Sequence, residues 1–169
     1  YNMERIMGEV EEELLYIREQ KTPEPTFYIP YDDLDSRGTG YFDHLERRSM
    51  TNDEMRANKV KLDSILLKGS SLLAFKNKSD YVDDAIFYIG KTYFYEREWY
   101  QSQRKCEELI ANFPQSKWSP DAHLLLSMDM MQQGNLDGAT TMLSRTIDIA
   151  WGRKRLDVLV EAFRLNADI

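Results

Sequence analysis

Self-similarity at a fixed spacing constrains this chain most. Ser79-Asp80-Tyr81-Val82-Asp83-Asp84-Ala85 and Ser116-Lys117-Trp118-Ser119-Pro120-Asp121-Ala122 lie 37 positions apart and agree at serine, aromatic, aspartate and alanine. After each copy the pattern predicts one helix, a short break and a second helix: 82–96 then 98–112, and 120–133 then 136–150. A period in the thirties made of paired helices means hairpins that cannot bury their apolar faces alone and must stack on their neighbours. In the second copy Ser119-Pro120 predicts an N-cap with proline at the first helical position. Gly134-Asn135 predicts a helix stop followed by a new cap. Carried backwards, the offset makes residues 55–76 the second helix of a preceding hairpin. Carried forwards, it makes 155–167 the first helix of a following one, and the array of about three repeats is expected to run past residue 169.

Two further segments precede this repeat domain of residues 51–169. Met3, Ile6, Met7, Val10, Leu14 and Ile17 are spaced as one face of an amphipathic helix within residues 1–20, stopped at Thr22-Pro23-Glu24-Pro25. Residues 21–50 show no helical period and predict an extended arm, with Phe27, Tyr28, Tyr31, Tyr41 and Phe42 laid along the helices. Thr51-Asn52-Asp53-Glu54 has the form of a capping box that opens the next helix. Gly69 and Ser70 leave room there for another helix to approach. The expected fold class is all-α, a superhelix of helical hairpins with an N-terminal helix and an arm.

The chemistry-bearing residues do not assemble into a reactive set. A formal charge of -7 and basic runs of only two or three residues disfavour nucleic acid. The single cysteine, Cys106, falls where the repeat places a packing residue, so a buried thiol is expected rather than a nucleophile. Asp33-Leu34-Asp35-Ser36-Arg37-Gly38 opens like a calcium loop, but Arg37 and His44 stand at ligand positions, and an ordinary acidic turn is the better reading. His44 and His123 do not form a metal-binding pair. The expectation is a non-enzyme with no cofactor, no metal and no membrane span.

Within the first copy Ala85, Gly90, Tyr93 and Pro114, and within the second Ala122, Gly134 and Ala139, fall at spacings that resemble the tetratricopeptide repeat. The pattern departs from that family at Ser102, Cys106 and Arg97, and at Ser127 and Met130. The run Asp84-Ala85, Ile89-Gly90-Lys91, Tyr93-Phe94-Tyr95, Glu108-Leu109-Ile110 and Phe113-Pro114-Gln115-Ser116 is similar to the BamD family of bacterial outer-membrane lipoproteins. It is also similar to tetratricopeptide lipoproteins of type IX secretion and gliding. That resemblance implies a periplasmic scaffold for other proteins in β-barrel assembly or secretion, with the membrane reached only through a lipidated N-terminal cysteine, for which these residues hold no lipobox. It further implies a partner-binding groove at Asp84, Phe87, Lys91, Phe94, Asp121, Leu124, Met128 and Met131. Charged residues at Phe87 and Met128 should then abolish capture without unfolding the chain. The competing expectation is a cytoplasmic adaptor or chaperone-type module that binds a peptide segment.

Overall fold

The computed structural model describes residues 2–21, 49–75 and 79–169, and the described residues form seven helices and no strand. These are α1 (Asn2–Lys21), α2 (Asn52–Phe75), α3 (Val82–Tyr95), α4 (Trp99–Asn112), α5 (Ser119–Gln132), α6 (Leu136–Gly152) and α7 (Leu156–Ala167). The described part of the chain is therefore all-α. Most of the arm, including its aromatics, the calcium-like turn and His44, lies outside the described residues.

Three-residue turns join α3 to α4, α5 to α6 and α6 to α7, which sets each helix antiparallel to the next. The turns share one device. Arg97, Gly134 and Lys154 adopt φ of 63°, 76° and 57°, the left-handed conformation that closes a helix end. Gly134 takes it freely, whereas Arg97 bears the steric cost and uses its side chain, whose Nε donates to the Met50 carbonyl at 2.8 Å. This contact and the Met50 amide on the Tyr95 carbonyl fasten the last residues before α2 to the end of α3.

Each helix packs on its neighbour in sequence, and α1, α3, α5 and α7 also touch one after another, while α2, α4 and α6 do not touch one another. Two layers result, with the odd-numbered helices forming the closer one. α1 stands to α2 and α3 as α3 stands to α4 and α5, so the N-terminal helix supplies the first half of the hairpin that α2 completes. Met3, Ile6, Met7, Val10 and Leu14 of α1 are buried in the common core with Leu62, Ile65, Ile86, Leu109, Leu143 and Val158.

Close approach depends on small residues. A Cβ on Gly69 would lie 2.7 Å from Ile89 Cγ1 and 3.3 Å from Met3 Sδ, so α1 and α3 both meet α2 there. A Cβ on Gly90 would lie 3.2 Å from the Lys105 Cβ of α4. Ala85, Ala122 and Ala139 are fully buried, Tyr93 is half-buried at the α3–α4 hairpin, and Pro114 stands exposed two residues past α4.

The capping predictions are met at two ends and shifted at a third. Glu54 accepts from the Thr51 amide at 2.8 Å and the Thr51 hydroxyl accepts from the Glu54 amide at 3.4 Å, a complete capping box. Asn135 accepts from the Gly138 amide at 3.0 Å. Ser119 is not the N-cap expected of it: α5 begins at Ser119 itself and Trp118 is the cap. The reason is Ser116, whose hydroxyl accepts from the Trp118 amide at 3.0 Å and whose carbonyl accepts from the Ser119 amide at 3.1 Å, starting the turn earlier. Val60, Leu67 and Phe75 of α2 face solvent, so the helix buries a narrower stripe than its apolar content suggests.

Candidate functional site

Where α1, α3 and α5 lie side by side, they border an open cavity of about 240 Å³ lined by Glu11, Phe87, Lys91, Phe94, Tyr95, Asp121, Leu124, Leu125 and Met128. Six of the eight residues expected to form a groove stand on this lining: Phe87, Lys91, Phe94, Asp121, Leu124 and Met128. They come together because residues separated by about one turn on α3 share a face, and the 37-residue offset puts their counterparts on the matching face of α5. Asp84 and Met131 are not on the lining. Met131 is half-buried against the core.

The two aspartates serve the fold. Asp84 is buried, accepts from Trp118 Nε1 at 2.8 Å and pairs with Lys117 Nζ at 2.9 Å. Asp121 takes both ends of Arg155, at 2.8 and 3.0 Å. In each case the donor lies 34 positions further on, in the turn before the next odd-numbered helix, so the repeated aspartate straps one hairpin to its successor. Phe87 stacks on Trp118 with ring centroids 4.4 Å apart and is almost wholly buried, as is Met128. A charge at either position would enter the core, which corrects the expectation that such substitutions leave the chain folded.

Electrostatics at the cavity come from α1 as much as from the repeats. Glu11 pairs with Lys91 and accepts from the Tyr95 hydroxyl at 2.8 Å. Burial raises the pKa of the Tyr88 phenol, and Glu4, Asp84, Glu11 and Asp121 around it push the same way. The lining thus combines buried apolar side chains with the half-buried Glu11, Lys91 and Asp121, and both Lys91 and Arg155 are held in ion pairs.

Sequence reasoning missed Glu11, Tyr95 and Leu125. Nothing in the repeat could place Glu11, since it reaches the site from a helix separated from α3 by the arm and α2. Tyr95 carried a weak signal as the last aromatic of the Tyr93-Phe94-Tyr95 run.

Cys106 is buried, and desolvation raises its thiol well above the usual range, with the nearby Asp129 adding to the effect. His123 is buried with Nδ1 2.7 Å from the Ser119 carbonyl, and burial lowers its pKa, so it is a neutral donor within its own helix. Among the described residues no three His, Cys, Asp or Glu side chains converge as metal ligands, and no helix is long and apolar enough to cross a membrane.

Comparison with protein-family models, with curated proteins and with solved structures returned no match.

Proposed function

We propose that this chain is a non-catalytic protein-binding scaffold, a tetratricopeptide-like superhelix whose odd-numbered helices form a concave inner face. The observation that carries the reading is the open cavity shared by three odd-numbered helices, which brings buried Phe87, Phe94, Leu124 and Met128 together with the more exposed Glu11, Lys91 and Asp121. Such a depression suits one large apolar side chain of a partner segment, while the charged residues of the lining set its register. The contact series of α1, α3 and α5 supports the superhelical reading, because helices that touch on one side and separate on the other curve towards the touching side. Placement at the periplasmic face of the outer membrane, in β-barrel assembly or secretion, rests on the BamD-like run of residues 84–116 and not on the geometry.

Site-specific photo-crosslinking tests the proposal. A photoreactive residue replacing Lys91 of the lining should capture a defined protein partner in cells, and one replacing Arg104, exposed on α4, should not. Equal labelling at both positions, or none at Lys91, refutes the cavity as the binding site. Fractionation of the same cells reports whether the chain is in the periplasm.

A further inference from the structure

One buried polar cluster is neither paired nor part of the cavity lining. Asp129 of α5 is fully buried, and neither of its carboxylate oxygens has a hydrogen-bond partner among the described residues. Ser102 and Cys106 of α4, both buried, stand beside it, and the Ser102 hydroxyl has no such partner either. The three meet on the α4–α5 seam, where the second hairpin stacks on the third. The 37-residue offset gives the corresponding trios on the neighbouring seams: Ile65, Gly69 and Thr92 between α2 and α3, and Ala139, Leu143 and Asn166 between α6 and α7. Thr92 is as buried as Asp129 but satisfies itself, its hydroxyl donating to the Tyr88 carbonyl at 2.7 Å. Asn166 is exposed. Of the three trios, only the middle one holds a buried acid without a partner.

We infer that Asp129 is a pH latch on this seam: its neutral carboxylic acid lets α4 and α5 pack, and its carboxylate parts them and bares Cys106. An unpaired carboxylate is costly to keep from water, whereas the neutral acid is tolerated. No cation among the described residues offsets the charge. On α4 the titratable group facing Asp129 is the Cys106 thiol, and Glu107 acts on that thiol in turn, so neither favours a further negative charge. On α6 Arg145, and after it Arg153, act on His123. Lys91 of α3 is held by Glu11 and Arg164 of α7 by Glu161. Burial therefore dominates and raises the Asp129 pKa to about 8, which the Ser102 hydroxyl tempers. With the closed value above the open one, the seam is fully held below about pH 4, opens about tenfold more readily per pH unit from there to about 8, and changes little beyond. The cavity takes Phe87, Lys91 and Phe94 from α3 and Asp121, Leu124 and Met128 from α5, so parting of the two hairpins would also divide it. The latch itself needs no partner and holds whether or not anything binds there.

Cys106 is the single cysteine of the chain and is buried, so its rate of reaction with 4,4′-dithiodipyridine, which attacks thiols at acidic as well as neutral pH, reads the opening. Ionisation of the thiol speeds this reaction with pH in every variant and cancels in the ratio of parent to Asp129→Asn. That ratio should grow about a hundredfold between pH 5 and pH 7. Asp129→Thr, which copies Thr92 of the neighbouring seam, should behave as Asp129→Asn does. In the parent at pH 7 the logarithm of the rate should climb with urea at less than half the slope of global unfolding, because parting one seam exposes only part of the core. A ratio that stays flat from pH 5 to pH 7 overturns the latch. A thiol that reacts only as the whole chain unfolds, with the full urea slope, overturns it too, since the seam then does not part by itself. Neither result bears on crosslinking at Lys91, which reads partner capture.

Discussion

Arg18 and Glu54 are buried together, with Nε to Oε1 at 3.1 Å and Nη2 to Oε2 at 3.2 Å. This forked pair fixes α1 to the start of α2. Burial alone would raise the Glu54 pKa, but the Arg18 guanidinium and the Thr51 amide outweigh it and hold the carboxyl at about 2. Because the folded value is below the unfolded one, the contribution to stability is complete above about pH 4.5 and fades as pH falls towards 2. It is on the order of 3 kcal/mol at neutral pH. Urea titrations of the parent and of Glu54→Gln should differ by roughly that amount at pH 7, by less than half of it at pH 3, and converge only below about pH 2. A constant difference across that interval would show that the ionised pair is not the source.

Asp129 carries the opposite sign. It is fully buried on α5, and desolvation raises its pKa to about 8, with Ser102 of α4 tempering the rise. With the folded value above the unfolded one, stability is complete below about pH 4 and declines as pH climbs through 8. Asp129→Asn should therefore raise the unfolding free energy obtained from urea titration at pH 8.5 by an amount on the order of several kcal/mol and change it little at pH 4. No gain at alkaline pH would mean that the carboxylate is solvated in the native state.

At the scale of elements, stacking relies on the straps from Asp84 and Asp121 as well as on apolar contact. Removing the Asp121 side chain leaves Arg155 with Asp157 and the Lys117 carbonyl and loosens the turn that leads into α7. Asp121→Ala should cost about 1–3 kcal/mol, and hydrogen exchange should show α7 opening first while α3 and α4 keep their protection. Uniform loss of protection would mean that the strap does not act locally. Helix positions were largely legible beforehand, since 82–96, 98–112, 120–133, 136–150 and 155–167 each lie within two residues of the observed bounds. What could not be read was the use of each polar side chain. Asp84 and Asp121 look alike whether they greet a partner or a turn 34 residues away, because a repeat pattern identifies equivalence and not the donor.

Considered as a whole, the described helices share one core, and α1 is part of it. Five apolar residues of α1 lie in the common core, and its Arg18 neutralises Glu54 inside the protein. A chain lacking residues 1–21 should lose cooperative unfolding and bind a hydrophobic dye, since several kcal/mol of burial vanish together with a paired charge. Retention of a sharp transition at unchanged temperature would show that α2–α7 suffice. The 37-residue period by itself placed the helices of residues 82–167 in their order, because period and turn chemistry act over neighbouring residues and leave a trace in local composition. Only the tertiary structure decided that α1 completes the first hairpin, that Glu11 joins the cavity wall, and that Phe87 and Met128 belong to the core. These depend on contacts between segments far apart in the chain, and no local pattern encodes which surfaces a long connection brings together.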